Sequence, residues 1–289
     1  MQLGLVGLGR MGASMRDRLT AAGHHVVGYD HDPSRSDATS LADLCDRLSP
    51  PRVVWLMVPV AVTGQVINDL AELLEPGDLV IDGGNSHYQE AAPRAEQLGQ
   101  RRIGYLDVGV SGGIWGATHG YALMVGGEPR HVQRCMPIFE ALKPEGEFGF
   151  VHAGGVGAGH FAKMIHNGIE YGLMQAYAEG YELLTRAELV TDAPAVLRSW
   201  RDGSVIRSWL LDLLDRALAD DPKLAEVRAY VEDTGEGRWV VEEAVRRAVP
   251  IPALTAALFT RFSSRQSDRL AMKAVAALRE QFGGHPIRR

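Results

Sequence analysis

Gly7-Leu8-Gly9-Arg10-Met11-Gly12 is the stretch that decides the fold of the first half of the chain. It follows an apolar segment, residues 2–6, and leads into a helix-like segment that stops at Gly23. A second apolar segment, residues 25–29, then ends in Asp30. Strand, G-x-G-x-x-G turn, helix, strand and acid together form the complete dinucleotide-binding fingerprint. The sequence therefore predicts a Rossmann-type βαβ unit at the start of the chain.

The glycines of this turn have separate physical purposes. The first permits the tight turn, the second lets a pyrophosphate approach the backbone, and the third lets the helix pack closely on the strand. The phosphates are expected at the helix N-terminus, where N–H groups and the helix dipole favour anions. The residues predicted to bind the cofactor in this turn are Gly7, Leu8, Gly9, Arg10, Met11 and Gly12.

Asp30 indicates which nicotinamide cofactor is preferred. A carboxylate at the end of the second strand accepts hydrogen bonds from the ribose hydroxyls and repels a 2′-phosphate. Arg35 is the nearest arginine downstream, and folded back onto a phosphate it would favour NADP instead. Because Asp30 carries a carboxylate at this position, we predict that the protein prefers NAD to NADP.

Two further buried strands, 52–58 and 78–82, supply more of the cofactor edge. Ligands of open α/β sheets bind beyond the carboxyl ends of the strands. Val58, Pro59 and Asn85 are therefore predicted to contact the cofactor. Asn85 precedes a serine and a helix, so a role as a turn residue or helix N-cap is equally compatible with its position.

A second glycine-rich turn, Ser111-Gly112-Gly113, follows the strand predicted at 103–108. Its hydroxyl and backbone N–H groups can bind an anion such as a carboxylate, although such a turn by itself is more often simple chain reversal. Beyond it, residues 121–125 are predicted as an edge strand and residues 148–152 as the last strand.

The segment from Gly157 to about residue 188 contains no proline and has helical apolar periodicity, which predicts a single long helix. Lys163, His166, Asn167 and Glu170 are spaced i, i+3, i+4 and i+7 and share one face. A solvated helix face is the ordinary explanation of such a pattern. Four acid/base and hydrogen-bonding groups aimed at one place are nevertheless costly unless that place is a site.

The predicted fold class is an α/β N-terminal Rossmann-type domain with a doubly wound, mostly parallel sheet, followed by an all-α C-terminal domain that the long helix enters. The domain boundaries are residues 1–156 for cofactor binding and 157–289 for substrate binding and oligomerisation. Further helices are predicted at 193–200, 208–218, 224–230, 240–248, 251–262 and 269–282.

Composition excludes several classes of protein. The 289 residues are 46% hydrophobic and 23% charged, which is typical of a soluble globular protein. The net charge of -6, without a long basic run, argues against nucleic acid as a partner. Two cysteines fit a reducing compartment, and neither a signal peptide nor a run of membrane-spanning length is present. We expect a cytoplasmic protein with no membrane partner.

These motifs resemble one family, the 6-phosphogluconate dehydrogenases, within the wider β-hydroxyacid dehydrogenase group. The wider group shares the glycine turn and a helix lysine with an asparagine four residues on. The likeness extends over essentially the whole chain and is greatest to the short, NAD-preferring subfamily. The narrower matches are residues 82–86, 111–113, 163–171, 200–208, 235–239 and 279–285.

The resemblance implies oxidative decarboxylation of 6-phospho-D-gluconate to D-ribulose 5-phosphate, with NAD reduced to NADH. Lys163 would take the proton of the C3 hydroxyl as the hydride leaves, and then stabilise the oxyanion that develops as CO2 departs. Glu170, as a neutral acid, would protonate C1 of the enediol. An ammonium then serves in place of a Lewis acid, so no metal is expected.

The resemblance also implies which residues hold the substrate. Ser111, Gly112 and Gly113 would bind the carboxylate, and Asn85, His166 and Asn167 the hydroxyls. The phosphate would be bound by Tyr171, Arg207 and Arg279. Thr234 and Glu236 stand where longer relatives have a lysine and a threonine, so we expect the arginines, including Arg265, to compensate.

Self-association is implied as well. In the family a matching tail reaches the active site of a neighbouring subunit, which here assigns Arg279 and His285 to a partner's site. Apolar faces on several helices of the second domain also favour association. A homodimer or homotetramer is therefore expected.

Two alternatives belong to different classes. A 3-hydroxyisobutyrate-type β-hydroxyacid dehydrogenase with a small unphosphorylated substrate would keep Lys163, Asn167 and the Ser111 turn, but would have no use for Glu170 or the phosphate arginines. A non-catalytic NAD-binding regulator would need none of the polar helix face, and the intact face argues against it.

Overall fold

In a computed structural model, which describes residues 1–283 and 286, seven strands form one sheet in the order β2-β1-β3-β4-β5-β6-β7. All neighbouring pairs are parallel except β5 with β6, which confirms the doubly wound, mostly parallel sheet. The strands are β1 Gln2–Val6, β2 His25–Tyr29, β3 Val53–Leu56, β4 Leu79–Asp82, β5 Gly104–Ser111, β6 Ala122–Gly127 and β7 Phe150–Gly154.

The prediction that residues 121–125 form an edge strand is wrong. Strand β6 lies between β5 and β7, because the last strand pairs with it in parallel from Leu123 opposite Phe150 to Gly126 opposite Gly154. The edge position belongs to β7.

Helices accompany the sheet, and apolar cores lie against both of its faces. Successive residues of β3 show this directly, since Val53 and Trp55 belong to one buried cluster and Val54 and Leu56 to the other. A strand buried on both faces has to be apolar throughout, which explains its uninterrupted hydrophobic sequence. The helices of this part are α1 Arg10–Ala21, α2 Leu41–Asp46, α3 Val60–Leu73, α4 Ala91–Gln100, α5 Gly116–His119 and α6 Pro129–Leu142.

The remainder of the described chain is helical, as predicted. Small apolar clusters stabilise it, one around Tyr171 and Leu258 and another around Leu197 and Leu211. Its helices are α7 Ala158–Arg186, α8 Ala193–Ser199, α9 Trp209–Asp220, α10 Glu236–Arg247, α11 Pro252–Ser264 and α12 Leu270–Gly283.

The helix predicted at 224–230 is absent, and this segment consists of turns and irregular structure. Leu224 has a φ of +48°, in the left-handed region that a right-handed helix excludes. The apolar spacing of the segment is therefore not accompanied by helical backbone.

The chain divides into two compact units, Met1–His166 and Asn167–Arg289. This division falls within α7, whereas the boundary expected from the sequence falls just before α7 begins. One helix therefore contributes residues to both units.

Cys45 and Cys135 are free and buried. Burial raises the pKa of the Cys45 thiol to about 11 and that of Cys135 to about 12. Among the described residues, no helix combines the length and apolarity needed to span a membrane. That same part of the chain contains no group of three or more His, Cys, Asp or Glu side chains able to hold a metal ion.

Candidate active site

The carboxyl ends of β1, β3 and β4 meet at one edge of the sheet. A Cβ on Gly7 would lie 2.6 Å from the Met57 carbonyl oxygen, and a Cβ on Gly84 would lie 2.9 Å from that of Val58. Strand β1 stands between β2 and β3, where the strand order reverses and dinucleotides bind in open sheets. The structure thus brings the glycine turn, Val58 and the turn before Asn85 together.

The N-terminus of α1 is open to an anion. Gly9 is the N-cap, no side chain caps the helix, and its first turn contains no acidic residue. A Cβ on Gly9 would meet nothing within 4 Å, whereas one on Gly12 would overlap the Gly7 carbonyl oxygen. The second glycine therefore leaves room for a ligand and the third permits close packing. This geometry fits the pyrophosphate of a dinucleotide.

Asp30 has a structural role that the sequence pattern did not reveal. Its side chain is only 6% exposed. Oδ2 accepts the Leu8 N–H at 2.6 Å, and Oδ1 accepts the Asp32 N–H at 2.9 Å and lies 2.9 Å from His31 Nδ1. The carboxylate thereby fastens the glycine turn to the end of β2. Its contact with ribose hydroxyls stays a prediction.

Asp32 is the more exposed acid beyond β2, and the sequence analysis did not single it out. Hydrogen bonds from Ser34 hold the pKa of Asp32 below its usual range, so the carboxylate is charged at neutral pH. Its Oδ2 lies 3.2 Å from Nε of Arg35. Arg35, the arginine nearest to this strand end that could bind a 2′-phosphate, is therefore already paired with a carboxylate. This arrangement favours NAD.

A buried ion pair shapes the turn that contains Asn85. Asp82 accepts hydrogen bonds from Arg94 Nη1 at 2.9 Å, the Tyr105 hydroxyl at 3.2 Å and the Gly84 N–H at 3.2 Å. Burial, with the neighbouring Asp82, raises the pKa of Tyr105 well above its ordinary value, so the hydroxyl remains a donor. Asn85 itself is exposed.

The alternative interpretation of Asn85 as a helix cap is wrong. The residue that caps the following 3₁₀ turn, Tyr88–Glu90, is His87, whose side chain accepts the Gln89 N–H at 3.2 Å. Asn85 lies in a bend after β4, so the turn role and ligand binding both stay open for it.

Ser111, His166 and Lys163 form a hydrogen-bonded series. Ser111 Oγ lies 3.2 Å from Nε2 of His166, and Nδ1 of the same ring lies 3.5 Å from Nζ of Lys163. A neutral imidazole donates from one nitrogen and accepts at the other, so this ring links the hydroxyl with the amine. The Gly112-Gly113 turn begins directly after Ser111. Strand β5 and helix α7 thus bring Ser111, Lys163 and His166 close together, and their roles in binding and catalysis stay a prediction.

Asn167, Glu170 and Tyr171 continue along the same helix. Asn167 and Glu170 are partly buried, and Tyr171 is buried. Because α7 is continuous from Ala158 to Arg186, the predicted i, i+3, i+4, i+7 spacing is a true helical face.

Arg261 is a candidate that the sequence analysis missed. Its guanidinium carbon lies 3.4 Å from the centroid of the Tyr171 ring, and its Nη1 donates to the Glu232 carbonyl oxygen at 3.0 Å. Arg265 is the C-cap of α11 and donates to Asp233 at 2.9 Å. The only sequence signal was that Arg261 lies one helical turn before Arg265. Its relevance becomes visible only in the fold, where its guanidinium stacks on Tyr171.

Two other predicted phosphate ligands are solvent-exposed. Arg207 lies in the loop before α9, and Arg279 lies on α12. Thr234 and Glu236 hydrogen-bond to each other. His285 lies outside the described residues.

A doubly wound sheet with an anion-binding turn, followed by a helical part that a lysine-bearing helix enters, defines a nicotinamide-dependent dehydrogenase. Residues 2–149 match the model of the NAD binding domain of 6-phosphogluconate dehydrogenase, and residues 159–287 match that of the 6-phosphogluconate dehydrogenase C-terminal domain. The chain belongs to the 6-phosphogluconate dehydrogenase family.

Individual relatives agree with this assignment. A putative 6-phosphogluconate dehydrogenase of Bacillus subtilis is 42% identical over 99% of this chain and 98% of its own length. The NAD(+)-dependent, decarboxylating 6-phosphogluconate dehydrogenase of Haloferax volcanii is also 42% identical, over 100% of this chain and 99% of its own. The solved Plasmodium falciparum enzyme superposes with a TM-score of 0.83 at 26% identity, covering 100% of this chain and 66% of that longer one.

The substitution Asp32→Asn is expected to weaken the preference for NAD. Asparagine keeps a capping oxygen for Ser34 but releases Arg35 and removes a charge that repels a 2′-phosphate. The ratio of kcat/KM for NAD to that for NADP should fall by about tenfold, the contribution of one charge-assisted hydrogen bond. Steady-state kinetics with both cofactors measure this ratio. Asp17→Asn removes an equal charge from the exposed face of α1 and should leave it unchanged. An unaltered ratio in Asp32→Asn contradicts the assignment.

Proposed function

We propose that this chain catalyses the oxidative decarboxylation of 6-phosphogluconate to ribulose 5-phosphate and CO2. The observation that carries the proposal is the Ser111–His166–Lys163 series, which holds an amine beside an imidazole and a glycine-rich turn. Family membership supports the same reaction over the 3-hydroxyisobutyrate-type alternative, and the full-length likeness to an NAD(+)-dependent relative supports NAD as the cofactor.

Lys163 is the general base of the first step. Its uncharged amine takes the proton of the C3 hydroxyl as the C3 hydrogen leaves with its electron pair, which makes C3 a ketone. Bound NAD supplies the hydride acceptor for this oxidation. His166 holds Nζ from one side, so the lone pair has a defined direction.

The same lysine assists the loss of CO2. The C1–C2 bond breaks, its electrons form an enediol across C2 and C3, and the charge that develops on the C3 oxygen is met by the ammonium of Lys163. Ser111 and the backbone N–H groups of Gly112 and Gly113 hold the carboxylate until it leaves. Glu170, protonated, then delivers a proton to the carbon that becomes C1 of the ketose.

The remaining substrate contacts are part of the proposal. Asn85, His166 and Asn167 hold the hydroxyls. Arg261, stacked on Tyr171, offers the phosphate a planar pair of donors, and stacking fixes the plane of the guanidinium before the substrate arrives. Arg265 supplements this charge, although Asp233 already engages it.

The proposal is tested by turnover with NAD on three compounds: 6-phosphogluconate, unphosphorylated gluconate and 3-hydroxyisobutyrate. NADH and CO2 should appear in equal amounts from the first compound, with a far lower kcat/KM on the other two. Preference for 3-hydroxyisobutyrate would select the alternative dehydrogenase. NADH binding without turnover of any compound would select the non-catalytic regulator.

Two substitutions on α7 should separate the chemical steps. Lys163→Met is expected to abolish NADH formation because the base is lost, while NADH binding measured by fluorescence persists. Glu170→Gln is expected to reduce kcat on the order of a hundred- to ten-thousand-fold, the usual effect of losing a positioned acid, with little change in substrate KM. Glu179→Gln, on an exposed face of the same helix, serves as the control. Near-normal turnover of Glu170→Gln rules out the general-acid role.

Arg261→Met and Arg207→Met distinguish the two candidate phosphate ligands. Loss of Arg261 should raise KM for 6-phosphogluconate by about tenfold or more, because a hydrogen bond between charged groups contributes about 1.5–3 kcal/mol. KM for NAD should stay constant. Arg207→Met is expected to leave both constants unchanged. The reverse pattern would return the phosphate site to the arginine predicted from the sequence.

Self-association is part of the proposal. Within the second unit, α10 and α11 border an apolar groove of about 830 Å³, lined in part by Val241, Val249 and Phe259. Helix α12 exposes a series of apolar side chains, including Leu270 and Leu278. Unpartnered apolar surfaces of this size favour a second copy of the chain as occupant. We assign the chain to a homodimer or homotetramer whose sites Arg279 and His285 complete from the partner.

Mixing two inactive variants tests the shared site. Lys163→Met subunits lack the base, and Arg279→Ala subunits lack the predicted contact in the partner. After subunit exchange, hybrids contain one site with an intact helix and an intact tail, so partial activity should return. Exchange demonstrated by mass spectrometry without any recovery would contradict completion by the partner.

Location is the last element of the proposal. Cys45 and Cys135 are buried free thiols, as expected in a reducing compartment, which supports a cytoplasmic protein.

A further inference from the structure

Asp107, in β5, is fully buried and contacts the start of α7. Its Oδ1 accepts the Gly157 N–H at 2.6 Å, and its Oδ2 accepts the His160 N–H at 2.9 Å. The first N–H groups of a helix lack partners within the helix, and a negative charge is favoured beside them. Gly157, Ala158 and Gly159 offer no capping side chain of their own. The sheet therefore supplies the cap for α7.

Three residues on one face of β5 match three positions along α7. Side chains alternate along a strand, so Asp107, Gly109 and Ser111 point the same way. A Cβ on Gly109 would overlap the Cβ of Lys163, and Ser111 reaches His166. Asp107 holds the first turn of the helix, and the next two residues of the same face contact the groups assigned to catalysis.

Glycines bring the backbone of α7 into direct contact with the backbone of the sheet beside β5. A Cβ on Gly159 would overlap the carbonyl oxygens of Asp107 and Met124. The His160 ring adds a tie to β4, with Nε2 lying 3.1 Å from the Asp82 carbonyl oxygen. With so little space for adjustment, a change in the first turn is transmitted directly to Lys163.

We propose that Asp107 is a positioning residue that sets the register of α7 against β5 and thereby places Lys163. Its kinetic consequence rests on the proposed function, because Asp107 is fully buried and acts only through the helix that it holds. A displacement of about 1 Å in a catalytic group can lower the rate by a hundredfold, so the register of this helix is a determinant of kcat.

Asp107→Asn tests the proposal. Asparagine keeps the size and one acceptor oxygen but turns an N–H donor toward the helix N–H groups. With 6-phosphogluconate and NAD, kcat should fall by about tenfold or more while KM for NAD stays constant. Hydrogen exchange of peptides covering residues 158–166 of α7 should accelerate relative to peptides from the strands of the sheet.

Asp78→Asn is the matched control. Asp78 is likewise buried and accepts backbone N–H groups, from Arg52 at 2.5 Å and Glu75 at 2.9 Å, but it lies at the amino end of β4. The Asp78→Asn substitution should lower Tm without changing kcat or the hydrogen exchange of residues 158–166.

An Asp107→Asn protein with normal kcat, or with unchanged exchange in 158–166, overturns the proposal, as does an equal loss of kcat in the control. If Asp107→Asn does not fold, Asp107→Ser, which keeps a short acceptor, is judged by the same two criteria. A wild-type protein that does not turn over 6-phosphogluconate refutes the proposed function instead, and the exchange measurement still decides whether Asp107 holds the helix.

Discussion

The rest of the structure depends on the close approach of strand β5 to the start of α7, where glycines let the two elements meet without intervening side chains. Gly109 and Gly159 leave room for nothing larger than hydrogen between the two backbones. Side chains of ordinary size would hold the helix away from the sheet, and Ser111 would then not reach His166. The chemistry assigned to α7 is thus made possible by residues that carry no functional group at all.

Buried carboxylates complete this construction. Asp30, Asp82 and Asp107 lie at the end of, or within, three strands of the sheet, and each accepts a backbone N–H from the turn or helix that carries functional groups. A buried charge is costly unless it is compensated, so each one strongly favours the single backbone arrangement that satisfies it. The more accessible groups, among them Lys163 and His166, are the ones to which we assign contact with the substrate.

Local pattern was sufficient for the features that depend on neighbours in sequence. The glycine turn and the polar face of α7 could be predicted because the spacing of their residues along the chain is enough to define a turn and a helix face. The position of β6 could not, since it depends on β7, which pairs with it only in the folded sheet. The prediction of a helix at 224–230 was wrong because Leu224 has a left-handed backbone conformation, which the periodicity of apolar residues does not indicate. Arg261 was missed because its partner, Tyr171, lies on a helix that is far away along the chain and meets α11 only in the folded structure.

The two cysteines give the molecule one more property. A thiolate is the form that reacts with oxidants and alkylating agents, and burial holds the pKa of Cys45 at about 11 and that of Cys135 at about 12. At neutral pH both sulfurs are therefore protonated as well as inaccessible. The described chain therefore presents no thiolate to peroxide or to alkylating agents.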